Sequence, residues 1–432
     1  MTLSRKIILG VFLFFVFLLL PLGLLMLPIW DGPLPDDADM MVPVREIPEE
    51  ENAYALYLEA YEKLDMPDGN VLGKWVQNPD AHLEEIQAEL TSNAESFEWV
   101  EQGIRRGDYQ PPFDPELAYG VAEVLELGRS LSIFARVAPT PGERMAFART
   151  LSDFTKSYAR TEGPLIIGLI RNAVETFAHE AFRVSARNPD IPTEDLGDLL
   201  ERIKPLGPRS QQLERGYPLE YQYFIREFEA DEMEMLNRTL GKSRTSGFWV
   251  SVGFLYQPNN TRRLVLDIFR ARMDHLEEDF GRGPVPIQEL LEYELEYLPQ
   301  WNPRFWFNRT GRTFAMEYHK NMNVEERFLR SQADHAATLL ILALNLWHHE
   351  HGELPERLEE LVPEFLAEIP ADPYDGEPFR YNRERARIYA LGENLTDYGG
   401  SARSTARTKA RRTAEDFVYG IFEEIDFFAD SP

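Results

Sequence analysis

All 432 residues lack cysteine, which removes thiolate nucleophiles, thiolate metal sites, disulfides and a lipidated cysteine in one step. Chemistry must therefore come from histidines and carboxylates. The densest candidate is WHHEH, with His348, His349 and His351, joined by His335 further back on the same predicted helix. Its spacing is neither H-E-x-x-H nor an i, i+4 histidine pair, so one helix face would not present two imidazoles to a zinc ion. A polar helix end, where histidine complements the dipole, is the competing reading. Glu175 and His179 stand at i, i+4 in a strongly apolar run and would make half of a carboxylate–histidine site, but no second E-x-x-H completes a di-iron bundle. In EFEADEMEML, Glu227, Asp231 and Glu234 fall near one helix face. Such carboxylates do acid–base work only in a cleft that separates their pKa values, and a solvated face is the alternative. Nucleophile elbows of the form G-x-S-x-G, Walker loops and dinucleotide fingerprints are absent.

The elements that must position these residues follow a clear order. Ile7 to Trp30 carries no ionisable residue and matches the roughly 20 residues needed to cross a bilayer as a helix. Arg5 and Lys6 precede it and DGPLPDDAD follows, so the positive-inside bias predicts a single-pass anchor, residues 1–30, with the bulk of the chain outside the cytoplasm. A cleaved signal peptide would have an apolar core of about 7–15 residues and an A-x-A-like site, which PLGLLMLPIWDG does not supply. Residues 31–51, rich in proline and acid, read as an extended spacer lifting the folded part off the membrane.

From 52 to 320, apolar residues recur at helical spacing, first in NAYALYLEAYEKL through Ala53, Leu56, Tyr57, Ala60, Tyr61 and Leu64. Proline and glycine breaks separate the segments, and Thr193 with Glu194 and Asp195 resembles an N-terminal cap region. Residues 321–432 change pattern. A long helix with Phe328, Ala336, Leu339, Leu340, Ala343, Leu344 and Trp347 on its apolar face stops at Gly352. A short helical turn in LPERLEELVP follows, then strands at FRYN and RIYA, a basic loop over 401–413 and a third strand in EDFVYGIF. The predicted fold class is mainly α: an N-terminal transmembrane helix, a helical array, and a small α+β module of one long helix and a β-meander. The formal charge of −28 argues against nucleic acid or anionic headgroups as partners.

The module's motifs resemble the C-terminal globular part of type II secretion major pseudopilins. They are Gly352 and Pro355, Leu358 to Pro363, I-P-x-D-P-x-x-G-x-P-F-x-Y from Ile369 to Tyr381, A-L-G-x-N from Ala390 to Asn394, and D-x-G-G from Asp397 to Gly400. The spacing has its own logic: Pro373 holds Asp372 extended, Gly376 allows a tight reversal, and Phe379 and Tyr381 alternate onto one strand face. The whole chain is also similar to a group of bacterial membrane-anchored proteins that join a helical domain opening in N-A-Y-x-x-Y-x-x-A to this module; NAYALYLEAY, ERGYPLEYQYF and YQPNNTRRL carry that likeness. The prepilin-peptidase motif G-F-T-L-x-E is not reproduced, since Gly10 is followed by VFLFF. The resemblance therefore implies a borrowed interaction head rather than pilus assembly.

It also implies calcium in the loop ALGENLTDYGG, held by Asn394 and Asp397, with Asp416 from the returning strand; a plain hairpin turn is the alternative. Together these readings predict a protein of the bacterial inner (cytoplasmic) membrane that acts outside the cytoplasm as an interaction or scaffold protein, with a protein partner and an association with a secretion or envelope assembly. Two others stay open: an extracytoplasmic hydrolase with its site in the helical array, and a calcium-stabilised structural module.

Overall fold

The computed structural model describes residues 31–112, 120–203, 209–240, 256–279, 308–321, 324–392, 394–400 and 416–423. The expected anchor over 1–30 and the basic loop over 401–413 lie outside them. Among the described residues no helix is long and apolar enough to cross a membrane. The fold is mainly helical with one small antiparallel sheet. It divides into two compact units: Pro43–Glu220 with Val324–Pro432, and the residues before Pro43 with Tyr221–Glu278 and Pro284–Asn323.

In the first unit, helices α1 (Tyr54–Glu62), α2 (Gly69–Gln77), α3 (Leu83–Ser92), α4 (Ala94–Arg106), α5 (Val121–Val137), α6 (Pro141–Tyr158), α7 (Leu165–Arg187) and α8 (Thr193–Ile203) follow one another. The opening motif does structural work. Asn52 accepts the N–H groups of Tyr54 (3.0 Å) and Gln110 (3.1 Å) and donates to the Gln110 carbonyl (2.7 Å), starting α1 and pinning the chain after α4. Tyr57 is fully buried in a ring cluster with Tyr109, Phe154 and Tyr158, and its hydroxyl reaches Ser157 at 2.8 Å. Helix α8 begins at Thr193 as expected, with the Pro192 carbonyl accepting its first N–H groups.

Helix α9 (Arg209–Leu240) runs through Pro218, although proline costs an interior helix one hydrogen bond. Burial of Leu213, Tyr217 and Leu219 around it outweighs that local penalty. The division into units falls within this helix, after Glu220. In the second unit lie its later turns, α10 (Pro258–Asp279) and α11 (Arg309–Asn321).

Helix α12 (Glu325–His351) returns to the first unit and packs on α7 and α8. It ends where the sequence predicts: Gly352 takes φ 77°, and its N–H closes on the His348 carbonyl at 2.8 Å. A 3-10 turn at Leu358–Leu361 leads to β1 (Arg380–Asn382), β2 (Arg387–Ala390) and β3 (Phe417–Gly420), antiparallel in the order β1-β2-β3. The module expected over 321–432 is thus packed into the helical array, not set apart from it.

The expected spacer is also corrected. Residues 31–42 belong to the second unit and are bound along it. Asp31 accepts the N–H groups of Asn259 (2.9 Å) and Asn260 (3.0 Å), capping α10 from outside its own chain segment. Gly32 and Pro33 carbonyls accept Asn259 and Arg263 side chains, and Arg270 forks onto Asp39 at 2.9 and 2.6 Å. Tyr221 donates to Asp37 and Gln222 to the Met40 and Val42 carbonyls. Acids that read as solvated linker are the partners of a helix more than two hundred positions downstream.

Candidate functional site

Helix α7 is apolar along most of its length, with Ile167, Ile170, Val174, Ala178, Ala181 and Phe182 buried. Through that surface runs a polar row at four-residue steps: Arg171, Glu175, His179, Arg183 and Arg187. Four residues turn a helix by about 400°, so successive members shift by about 40° and the row winds slowly along one ridge. Helix α12 lays Asp334 and Thr338, one turn apart, against its middle.

There the Asp334 carboxylate is shared. Oδ2 lies 3.1 Å from His179 Nδ1, and Oδ1 accepts Arg183 Nη1 at 2.8 Å. Arg183 also donates to Thr338 Oγ1 at 2.7 Å, while that hydroxyl donates to the Asp334 carbonyl at 2.7 Å. His179 Nε2 faces His335 Nδ1 at 3.3 Å. Burial would raise the Asp334 carboxyl, but the Arg183 guanidinium and the His179 ring N–H overcome it and hold it down at about 2. The row continues at both ends: Arg171 reaches Glu175 at 3.1 Å and the Ala159 carbonyl at 2.6 Å, and Arg187 donates to the Gly420 carbonyl at 2.9 Å. Arg183 also sits 5.6 Å from the centre of the Tyr419 ring, on β3.

An ionised carboxylate fixes the hydrogen of His179 on Nδ1, which leaves Nε2 as acceptor for a His335 Nδ1–H. Asp334, His179 and half-buried His335 then form one hydrogen-bonded line. Such a line does chemistry only with a substrate beside it. The hollows that stand out among the described residues lie elsewhere. One is a shallow depression of about 450 Å³ on α3, lined by Leu83, Glu84, Gln87, Ala88, Thr91 and Pro139. The other is an enclosed space of about 10 Å³ among Tyr109, Val124, Tyr158, Ile167 and Ile170, room for one water at most.

Of the residues singled out in the sequence, Glu175, His179 and His335 come together in this region. The C-terminal histidines do not converge. His348 packs its ring on Phe422 at 4.8 Å, His349 is exposed, and His351 stacks on Trp347 at 4.0 Å. On α9, Glu227 is half-buried and Glu234 exposed, and the side chain of Asp231 lies outside the described residues. Asp334, Arg183, Arg171 and Thr338 escape sequence reasoning, although the four-residue step from Arg171 to Arg187 is visible in the sequence once sought.

The loop residues expected to hold calcium are engaged by the loop itself. Asn394 Oδ1 accepts the Thr396 N–H at 3.0 Å, and Asp397 Oδ1 the Gly399 N–H at 2.7 Å. Asp416 Oδ2 accepts the N–H groups of Tyr398 (3.1 Å) and Gly400 (3.0 Å). Gly400 is obligatory here, because a Cβ would stand 2.6 Å from the Tyr389 ring at φ 64°. Positive charge comes from Arg380, which pairs with Asp372 at 2.5 Å and with Asp375, and lies 4.0 Å from Asp397. Asn394 and Asp397 are exposed, the buried Oδ1 of Asp416 has no hydrogen-bond partner, and no group of three or more metal-binding side chains is found among the described residues. These three described side chains by themselves supply fewer oxygens than the six to eight calcium takes. Melting of the purified protein is expected to be the same with calcium as with chelator; a chelator-sensitive drop in melting temperature would show that the fold holds a stabilising ion.

Comparison with protein-family models, curated proteins and solved structures gave no match.

Proposed function

We propose that the chain is a non-enzymatic, membrane-tethered interaction or scaffold protein acting outside the cytoplasm. The observation that carries this reading is the fate of its buried ionisable groups. Asp334, Arg183, His179 and Thr338 are bonded to one another between α7 and α12. Their work is to join the C-terminal helix to the array. An acid–base site would instead leave such a group facing a pocket. What remains for recognition is surface: Leu83, Leu395, Tyr398 and Phe422 are large apolar side chains between 38 % and 49 % exposed on the first unit.

The apolar stretch Ile7 to Trp30 and its flanking charges support the tether. Photo-crosslinking tests both parts of the proposal in native membranes. With a photoreactive residue at position 83, 395, 398 or 422 of the full chain, a discrete adduct with another protein is expected in the membrane fraction. Recovery of the chain only in the soluble fraction, or membranes without adduct from any position, would overturn it.

A further inference from the structure

We infer that residues 31–42 clamp the N-terminal end of helix α10 directly against the surface of the lipid bilayer, with no spacer between membrane and folded unit. This rests on the membrane tether proposed above. Asp31 follows Trp30, the last residue of the apolar stretch, with nothing between. Its carboxylate is fixed on the N–H groups of Asn259 and Asn260 at 2.9 and 3.0 Å. A carboxylate there is stabilised twice, by two hydrogen bonds and by the positive end of a helix dipole. The chain cannot then run away from that end. Gly32 and Pro33 are held by Asn259 and Arg263, and Asp36 and Asp39 by Arg270 two turns further along the same helix.

A residue that must lie at the headgroup layer is therefore bonded to the first turn of α10. The clamp leaves two large apolar side chains uncovered, Met41 at 45 % and Leu34 at 61 %, and Leu34 lies three residues beyond Asp31. An apolar side chain so placed suits the boundary between headgroups and acyl chains. The basic groups of this end are already engaged: Arg263 by Asn260 and Pro33, Arg262 by Glu229 at 3.1 Å, and Arg270 by Asp39. The surface needs no anionic lipid, so its partner is the headgroup layer of a zwitterionic bilayer.

Because the chain has no cysteine, single spin labels report position without background. The full chain is reconstituted into phosphatidylcholine vesicles containing a nickel-chelating lipid, labelled at Leu34→Cys, Pro258→Cys or Glu229→Cys. Leu34 is close to the membrane by connection alone; residues 258 and 229 are close only if the clamp holds. Paramagnetic relaxation by headgroup nickel is expected at all three, and Asp31→Ala with Arg270→Ala is expected to abolish it at 258 and 229 while sparing 34. Relaxation at 34 with none at 258 or 229 would overturn the clamp and leave the tether standing. A chain that neither floats with the vesicles nor relaxes at any position would overturn the tether and the clamp with it.

Discussion

Replacing Asp334 with Ala is expected to cost about 3–5 kcal/mol of folding stability at neutral pH, because it strands a buried guanidinium and a buried imidazole. Arg183 and His179 lose the acceptor they share, at side chains only 13 % and 2 % exposed. Urea titration would read this as a lower midpoint at unchanged slope. Exchanging Asp334, Arg183 and His179 together for apolar residues of similar volume should recover most of the loss, since a network removed whole leaves no stranded charge. The penalty should depend on pH with a definite sign. The folded carboxyl, held at about 2, lies below its unfolded value, so its contribution is present above about pH 4 and fades as pH falls toward 2. That shift corresponds to roughly 2 kcal/mol, by which the gap between wild type and Asp334→Ala should narrow on acidification. A gap of the same size at pH 7 and pH 2.5 would mean the carboxylate is not what holds the interface.

Residues 324–432 produced alone are expected to show no cooperative unfolding. Helix α12 is buried on nearly every face: Phe328, Leu340, Ile341 and Leu344 are at most 1 % exposed. The Phe328 ring lies over Gly168 of α7, where a Cβ would approach it to 2.8 Å. Burial of each of those four side chains contributes roughly 1.5–3 kcal/mol, so exposing them forfeits on the order of 10 kcal/mol. That equals the net stability of a typical domain. Adding residues 43–220 as a second chain should restore a sharp melt. A sharp melt of 324–432 by itself would show that the sheet and its helix form an independent module after all.

Local signals were legible in the sequence. The stop at Gly352, the turn at Leu358 and the strands at FRYN, RIYA and FVYG lie where turn residues and alternation place them, because each is decided within a few neighbours. Partnership between distant segments was not. Periodicity says that α7 buries a face, but not that the face belongs to a helix beginning at Glu325, and its apolar average conceals five polar residues in step. Residues 31–42 misled for the opposite reason: proline and acid describe a solvated linker when read locally, and only the first turns of α10 reveal what Asp31 and Asp39 are for. The proposed site suffered the same blindness, since Glu175 and His179 are neighbours in sequence whereas Asp334 is not.

The polar row on α7 has a consequence for how the protein is made. Arg183 leaves the ribosome 151 residues ahead of Asp334. At a synthesis rate of roughly 5–20 residues per second the row waits roughly 8–30 s for its cover. A wholly apolar helix waiting that long would invite aggregation, whereas one carrying three arginines, a glutamate and a histidine stays hydrated until its counterpart arrives. Charge that ties two helices together in the finished fold thus serves as a temporary coat on the unfinished one.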